Sequence, residues 1–373
     1  MLIAACALAL AAGAGAAPLT IGAYYYAWYG QNGKQWRLGA PRLQLDQPEQ
    51  PLLGRYDSAD PAVIAEHYEW AQEYGIDLFF CSWRGPGTAD DVAIRDDLLP
   101  SPARGPTQIA LMYETIERLG MGADNRIQLT DASTQRMVDD FDYMARTYFD
   151  SPGYYRIDGR PVVIVYASRI LRGDVAGAIQ AIRVHLLTTY GVDPFLIGDE
   201  VDWDLAPDPD RIGLFDAITG YTLYSRTQAS GWPSRLGYVQ ALGRRVRQFQ
   251  RVAAAEGVAF VPDALPGFNS RAVRPQADEH VLPRELGPRS SQVSLFASTL
   301  ALAGSLVDPS LNLLAVTSWN EWNEDTQIEP TAVGPAATLG PTGLTQGYPY
   351  QPYGFSLLEV LQRFKDNWER GPP

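Results

Sequence analysis

Two glutamates lie three residues apart near the C-terminus, in a segment rich in tryptophan and asparagine. Glu321 and Glu324 occur in the sequence S-W-N-E-W-N-E-D over positions 318–325. Cleavage of a glycosidic bond needs one carboxyl group to move a proton, a second to meet developing positive charge, and aromatic rings to hold the sugar. The segment therefore predicts a catalytic pair of carboxyl groups, Glu321 and Glu324.

These two groups must hold different protonation states near neutral pH. Burial against Trp319 and Trp322 would raise the pKa of one carboxyl, and hydrogen bonds from Asn320 would keep the other ionised. In a glycosidase with a conventional nucleophile the carboxyl groups are about 5 to 5.5 Å apart, whereas about 6.5 to 9.5 Å suits an intervening water.

The elements that must position this pair alternate between apolar runs and helical patterns. Eight runs read as strands buried on both faces, which is typical of a parallel sheet; they cover 19–28, 76–83, 108–114, 161–167, 194–200, 217–224, 259–265 and 313–319. Helical patterns begin at Asp60-Pro61, Asp174, Leu236, Ser290 and Phe355. This order predicts an α/β fold, a single (β/α)8 TIM barrel. A doubly wound sheet is the competitor, but no glycine-rich phosphate loop follows the first run.

In such a barrel, chemistry occurs at the C-terminal ends of the strands. Reading these ends gives one further carboxylate and a set of aromatic and amide side chains as candidate substrate-binding residues: Glu114, Tyr26, Trp28, Tyr29, Trp83, Tyr221, Asn320, Trp322 and Asn323. Core packing is the alternative explanation for each aromatic residue taken alone. Long connections over 29–59, 264–289 and 325–353 are expected to form loops on the same face.

Composition excludes several classes of function. The formal net charge of −13 argues against a nucleic-acid partner, because few cations are available for a phosphate backbone. His67, His185 and His280 share no metal-ligand spacing, so neither a metal site nor a cofactor is expected. Cys81 lies in an apolar run and is expected to be a buried thiol. The expected partner is an oligosaccharide or polysaccharide.

The N-terminal residues resemble an export signal. Positions 2–16 are apolar and alanine-rich and end in Ala14-Gly15-Ala16, a small-x-small cleavage pattern. We therefore expect a signal peptide over 1–16, a catalytic domain over 17–373, and export to the periplasm or the outside of the cell. A lipid anchor at Cys6 is a weaker alternative. No other segment has the roughly 20 apolar residues that a membrane span needs.

Several motifs resemble glycoside hydrolase family 99. Y-Y-A-W-Y-G at 25–30 is similar to the family's Y-Y-P-W-Y-G, and G-R-Y-D-S-A-D-P at 54–61 to its G-x-Y-s-S-x-D-P. W-N-E-W-N-E-D-T-Q-I-E-P at 319–330 resembles its W-N-E-W-H-E-G-T-Q-I-E-P. The resemblance implies a (β/α)8 retaining endo-α-mannosidase or endo-α-mannanase that needs no metal. It also implies a substrate-assisted mechanism, in which Glu321 deprotonates the sugar's 2-hydroxyl and Glu324 is the acid and base at the leaving oxygen.

The resemblance is weaker among the residues that would contact the sugar. Asn323 replaces the family's histidine between the two glutamates. The family also has a histidine and a tryptophan after the first strand, and this sequence has Gln35-Trp36-Arg37 in the corresponding place. Glu114, by its place on the third strand, would contact the sugar at the cleavage point. Two alternatives stay open: a barrel glycosidase with a conventional carboxylate nucleophile acting on another glycan, and a barrel that binds polysaccharide without cleaving it.

Overall fold

The computed structural model describes residues 18–30, 35–36, 49–221, 223, 235–271, 273–274, 281–287, 289–334, 338–339 and 345–371. The leader over 1–16 and Tyr224 lie outside these residues. The domain boundary at residue 17 therefore stays a prediction.

A parallel sheet forms the centre of the fold. In chain order its strands are β1 (Thr20–Tyr25), β2 (Leu78–Trp83), β3 (Gln108–Tyr113), β6 (Arg160–Val165), β8 (Phe195–Asp199), β9 (Ala217–Thr219), β10 (Ala259–Phe260), β11 (Asp263–Ala264) and β12 (Leu313–Val316). The remaining short strands are β4 (Ile127–Gln128), β5 (Arg156–Ile157), β7 (Leu171–Arg172), β13 (Thr338–Leu339) and β14 (Pro349–Tyr350).

The sheet closes on itself. Its order is β10-β9-β8-β6-β3-β2-β1-β12-β11, and β10 and β11 at the two ends are halves of one segment over 259–264. The gap between them is bridged on both sides, because Val261 N–H donates to Ile218 O at 2.9 Å and Ala315 N–H donates to Pro262 O at 2.9 Å. With β10 and β11 counted as one interrupted strand, the eight apolar runs correspond to the eight strands of the barrel. The predicted (β/α)8 fold is confirmed.

Helices surround the sheet. They span Pro61–Glu73, Ala89–Val92, Thr115–Leu119, Asp131–Met144, Val175–Tyr190, Pro209–Ile212, Arg235–Ala255, Ser294–Gly304 and Ser356–Arg370. Wider turns extend two of them over Ala93–Leu98 and Ala145–Phe149, and single 3₁₀ turns cover Pro102–Arg104 and Ser168–Ile170. None of the helices in the described ranges is both long and apolar enough to cross a lipid bilayer.

Local sequence signals explain where the helices begin and end. Asp60 accepts a hydrogen bond from Ala62 N–H at 2.9 Å and so caps the first long helix, as predicted. Asp174 caps the helix Val175–Tyr190 in the same way, through Gly177 N–H at 2.8 Å. That helix ends at Gly191, whose φ of 67° is in the left-handed region that glycine adopts without strain. Cys81 is fully buried, as expected.

One expected loop is different in the structure. The connection over 325–353 is expected to form a loop on the C-terminal face, but its first residues Thr326, Gln327, Ile328 and Glu329 are fully buried. Their backbone turns inward because Ile328 N–H donates to Ser318 O at 2.9 Å and Glu329 N–H donates to Trp319 O at 2.9 Å. Buried backbone groups need such partners. This part of the connection therefore supports the segment that carries the paired glutamates.

Candidate active site

A cavity of about 210 Å³ opens at the C-terminal ends of the barrel strands. Its wall receives side chains from the segments that follow β1, β2, β3, β6, β9, β11 and β12. The lining residues are Tyr26, Trp28, Arg84, Glu114, Ile116, Glu117, Tyr166, Tyr221, Arg274, Glu321 and Glu324. The predicted convergence of carboxylates and aromatic rings at this end of the barrel is present.

Glu321 is buried in the cavity wall. It follows β12, and its backbone N–H donates to Ser318 Oγ at 2.9 Å, while Asn323 N–H donates to Glu321 Oε1 at 2.9 Å. Burial, and next the negative charge of Glu324, raise the pKa of Glu321 well above its usual range. Because burial disfavours the charged form, an ionised Glu321 accepts a proton more readily than a carboxylate in water does.

Glu324 has a different environment. Its Oε1 lies 2.7 Å from a guanidinium nitrogen of Arg274, and its side chain is 12% exposed. Its backbone carbonyl accepts a hydrogen bond from Asn269 N–H at 2.7 Å. The structure therefore places the two carboxyl groups in one cavity, with Arg274 in direct contact with Glu324.

Glu114 is a third carboxyl in the same wall. Burial raises its pKa to about 8, although the hydrogen bond from Ser82 acts in the opposite direction. Ser82 Oγ donates to Glu114 Oε1 at 2.6 Å. A carboxylic acid that keeps its proton near pH 7 can donate a hydrogen bond to a sugar oxygen.

Aromatic rings form another part of the cavity wall. The hydroxyl groups of Tyr26 and Tyr221 are hydrogen-bonded to each other, and the Tyr166 ring meets the Tyr221 ring edge-on at 5.5 Å between centroids. The guanidinium of Arg84 lies 5.2 Å from the centre of the Trp28 ring. Rings with a polar edge can pack on the apolar face of a sugar and bond its hydroxyl groups.

Comparison with known proteins agrees with this geometry. The model of glycosyl hydrolase family 99 matches residues 42–339. The chain belongs to this family. Its fold is similar to that of the family 99 endo-α-mannosidase from Bacteroides thetaiotaomicron in complex with bis-tris-propane, with a TM-score of 0.65 and 18% identity over 94% of this chain and 97% of that chain. It is also similar to a glycoside hydrolase-like protein, with a TM-score of 0.71 and 20% identity over 93% and 94% of the two chains.

Relatives in sequence carry related names. A human glycoprotein endo-α-1,2-mannosidase-like protein is 26% identical over 378 residues, which is 93% of this chain and 75% of the relative. The rat glycoprotein endo-α-1,2-mannosidase is 23% identical over 391 residues, 93% of this chain and 74% of the relative. The family 99 chain is thus a glycoside hydrolase that acts on O-glycosyl bonds.

Three predicted sugar-contacting residues lie behind the cavity wall. Tyr29 donates its hydroxyl proton to Asn320 O at 2.8 Å and accepts a hydrogen bond from Trp322 N–H at 3.1 Å. The Asn320 side chain is held by the backbone of Tyr26, at 2.7 Å and 3.0 Å, so it does not keep a catalytic carboxyl ionised. Tyr29, Asn320 and Trp322 do not line the cavity, because these contacts direct them into the barrel.

Two further predicted residues also lie outside the lining. Trp83 is fully buried; its indole N–H donates to Asp91 Oδ1 at 2.7 Å, and its ring stacks near Tyr113. Asn323 donates from its side chain to Gln35 Oε1 at 3.0 Å. By contrast, Tyr26, Trp28, Tyr221, Glu114 and the paired glutamates all reach the cavity.

Sequence reasoning missed a buried polar network under the site. Glu329 Oε2 accepts hydrogen bonds from Tyr56 at 2.8 Å and from the Trp322 indole at 2.7 Å, and Oε1 lies 3.2 Å from His67 Nε2. His67 Nδ1 lies 3.0 Å from the hydroxyl of Tyr25. Motifs containing Tyr56 and Glu329 were recognised, but their pairing over a sequence separation of 273 residues has no local signal.

Arg84, Glu117, Tyr166 and Arg274 were also not predicted as cavity residues. Tyr166 was visible as a strand end, and Arg84 follows Trp83 directly at the end of β2. Arg274 lies in a long connection with no periodic pattern, so only the folded chain could bring it to Glu324.

A larger cavity, of about 460 Å³, lies between the segments that follow β6 and β8. Its wall includes Glu200, which pairs with Arg211 at 3.0 Å, and Arg169, which pairs with Asp202 at 3.2 Å. Its wall contains none of the predicted site residues, whereas the smaller cavity is lined by both glutamates of the pair and by Tyr26, Trp28 and Tyr221, so we place the chemistry in the smaller cavity. Among the described residues, no cluster of three histidine, cysteine or acidic side chains could hold a metal ion.

Proposed function

We propose that this family 99 chain is an exported, retaining glycoside hydrolase that cuts α-mannoside-type glycans internally, by a substrate-assisted route. In this route Glu321 is the general base and Glu324 the general acid and then the base. The observation that carries the proposal is that Glu321, Glu324 and Glu114 line one cavity together with Tyr26, Trp28 and Tyr221. Similarity to a human glycoprotein endo-α-1,2-mannosidase-like protein and to the rat glycoprotein endo-α-1,2-mannosidase supports the choice of sugar.

The reaction takes two steps. Glu321 removes the proton of the sugar's 2-hydroxyl, O2 bonds to C1, the C1–leaving-oxygen bond breaks, and that oxygen takes the proton of Glu324. Water then attacks C1 and loses a proton to Glu324, while the C1–O2 bond breaks and O2 takes back the proton from Glu321. Each step inverts C1, so the configuration is retained overall, and both carboxyl groups return to their starting states.

The polar groups around the pair suit this route. Glu114, protonated near neutral pH, can donate to a hydroxyl of the sugar at the cleavage point. Trp28 and Tyr26 offer adjacent ring faces whose centroids lie 4.5 Å apart. These residues would orient the ring so that its 2-hydroxyl faces Glu321, and orientation of this kind lowers the barrier.

Activity is tested by incubating the protein with yeast α-mannan and, separately, with a β-glucan, and following the release of reducing ends. We expect release from α-mannan only. Glu321→Gln and Glu324→Gln should each lower turnover by at least about 10³-fold, because each removes a proton-transfer group, while saccharide binding is retained. Glu256→Gln, an exposed residue remote from the cavity, is the matched control. Full activity of either cavity variant would remove that residue from the mechanism.

The two other candidate functions give different results in the same assays. A conventional nucleophile would form a covalent glycosyl-enzyme, which a 2-deoxy-2-fluoro substrate would trap and mass spectrometry would detect. The proposed route needs the 2-hydroxyl, so this analogue should neither react nor label the protein. A binding-only barrel would retain α-mannan without releasing reducing ends.

Export is the part of the proposal that depends on the leader. We propose that residues 1–16 are removed as a signal peptide, on the basis of the apolar segment and its small-residue end. Mass spectrometry of the protein recovered from the periplasm or medium should show a mature N-terminus close to position 17. An intact leader on all of the protein would contradict export by this signal, and a lipid-modified Cys6 would support the anchored alternative.

A further inference from the structure

Two buried side chains at the ends of neighbouring barrel strands contact each other in the cavity wall. Ser82 lies near the end of β2 and pairs in register with Met112 of β3. Glu114 comes two residues after Met112, so both side chains point to the same face of the sheet as Ser82. The contact joins Ser82 Oγ to Glu114 Oε1 at 2.6 Å. The pairing of the two strands therefore brings this serine to this carboxyl group.

The two oxygens of Glu114 have different surroundings. Oε1 accepts the hydrogen bond from Ser82, which is 1% exposed. Oε2 has no hydrogen-bond partner in the described part of the chain, yet it is not sealed away from solvent. Since Glu114 lines the cavity, Oε2 is the oxygen that a bound sugar can reach.

This difference decides where a neutral Glu114 carries its proton. A protonated carboxyl group has one oxygen that donates and one that only accepts. The hydroxyl proton of Ser82 has no other acceptor among the described residues, so it occupies Oε1 and leaves the acid proton to Oε2. The serine also stabilises the ionised form and so acts against the burial that raises the pKa of Glu114 to about 8. Its effect is therefore on the place of the proton and not on its retention.

We propose that Ser82 is a positioning residue that keeps Glu114 Oε1 as an acceptor and so presents the O–H group of Oε2 to a hydroxyl oxygen of the bound sugar. Without Ser82, a neutral Glu114 would offer the sugar an acceptor as readily as a donor. This inference rests on the proposed function, in which Glu114 contacts the sugar at the cleavage point.

Other charged and titratable groups around Glu114 do not replace this hydrogen bond. Asp90 and Glu117 act to raise its pKa, and Arg84 acts to lower it. Arg84 is itself paired with Asp90 at 2.8 Å. Tyr166 is close enough to feel the charge of Glu114. The remaining charged groups of the wall are Arg274, Glu321 and Glu324. In the described ranges, only Ser82 hydrogen-bonds the Glu114 side chain.

Binding of α-linked mannobiose tests the inference. It is measured by calorimetry as a function of pH in the Glu324→Gln protein, which should bind without turnover. Affinity should fall as the pH rises through about 8, because Glu114 then loses its proton. Adding Ser82→Ala should weaken binding about fivefold at pH 6 and move the midpoint of the fall up by about 1 pH unit. The midpoint moves up because the ionised carboxylate has lost a donor.

Three variants serve as comparisons. Ser82→Thr keeps the hydroxyl and should restore both values, and Ser82→Cys, a weak donor of similar size, should fall between serine and alanine. Ser168→Ala is the matched control, because it removes an equally buried hydroxyl that has no hydrogen-bond partner in the described part of the chain. It should change neither the affinity nor the midpoint.

Three results with Ser82→Ala would overturn the inference. Weaker binding with an unmoved midpoint would show a purely structural role. A moved midpoint with full affinity at pH 6 would show that the hydrogen bond does not select the oxygen that meets the sugar. No change in either would show that the contact has no effect on Glu114.

Glutamine at position 114 tests the choice of oxygen without a titrating group. Its carbonyl can accept from Ser82, and its NH₂ group then takes the place of the protonated Oε2. Glu114→Gln should remove the fall in affinity near pH 8, and adding Ser82→Ala should weaken binding about fivefold, because the amide can then turn. A fall that persists in Glu114→Gln, or equal affinity with and without Ser82, would overturn the inference.

A last measurement needs no sugar. Carbon-13 NMR of protein labelled at the glutamate side-chain carboxyls, with Glu114 assigned through Glu114→Gln, follows this group as the pH is varied. Its midpoint should lie near pH 8 in the wild type and about 1 pH unit higher in Ser82→Ala. Identical midpoints would overturn the inference. Failure of the wild type to cut α-mannan would refute the proposed function and leave this titration standing.

Discussion

Glu114→Gln should change how the stability of the protein depends on pH. Glu114 is 7% exposed, and burial raises its pKa to about 8 from an ordinary value of 4.5. The folded chain therefore binds a proton that the unfolded chain releases between these two pH values. Stability from this group is fully present below pH 4.5 and is lost as pH rises through about 8.

The size of the effect follows from the two pKa values. At about 1.4 kcal/mol per pH unit, the interval from 4.5 to about 8 corresponds to about 5 kcal/mol as an upper figure. Glutamine keeps the shape and cannot ionise, and its carbonyl can still accept the hydrogen bond from Ser82. The variant should therefore lack this contribution to the pH slope, while every other titrating group acts equally in both proteins.

Urea unfolding at a series of pH values between 4.5 and 8.5 measures the difference. The wild type should lose several kcal/mol more than Glu114→Gln over this range. Glu117→Gln, three residues away and exposed, is the matched control and should keep the wild-type slope. Parallel curves for the wild type and Glu114→Gln would refute the reasoning that burial keeps Glu114 neutral.

Three further predictions concern the residues around the cavity. Glu329→Gln should lower the free energy of unfolding by about 3 kcal/mol, because an amide nitrogen would face buried donors; urea unfolding at pH 7 measures it, and an unchanged midpoint would contradict the role of the network. Trp28→Ala should raise KM for α-mannan about tenfold with a smaller change in kcat, and an unaltered KM would show that the ring does not hold sugar. Tyr221→Phe removes the hydroxyl that bonds Tyr26 and should lower kcat/KM about fivefold; equal kcat/KM would exclude that hydroxyl from substrate positioning.

The spacing of apolar residues, together with the residues that begin and end helices, was sufficient to predict the barrel. Buried parallel strands read as continuous apolar runs, and caps such as Asp60 and Asp174 satisfy the first N–H groups of a helix through side chains only a few residues away. The position of Glu321 at the end of β12 then followed from the rule that barrel chemistry lies at the C-terminal ends of strands. These inferences depend on residues that are close in sequence or on the symmetry of the fold.

The division between the cavity wall and its support could not be predicted in this way. Tyr26 and Tyr29 belong to the same motif and both follow β1, yet only Tyr26 lines the cavity. Tyr29 turns inward because its hydroxyl bonds Asn320, at a sequence separation of 291 residues. Residue type is the same at both positions, so only the long-range partner distinguishes them.

Mutations in the cavity wall and mutations in the buried network beneath it should have different effects. Glu321 is held by backbone N–H groups and by Ser318, whereas the Trp322 indole that follows it is tied to Glu329 beneath the cavity. Loss of a wall residue removes a contact with the sugar but leaves the buried network paired, so kinetics should change more than stability. Loss of Glu329 leaves several buried donors unpaired at once, so stability should change first. Activity lost through Glu329 should therefore return at lower temperature, where the folded state is restored, and activity lost through Glu324 should not.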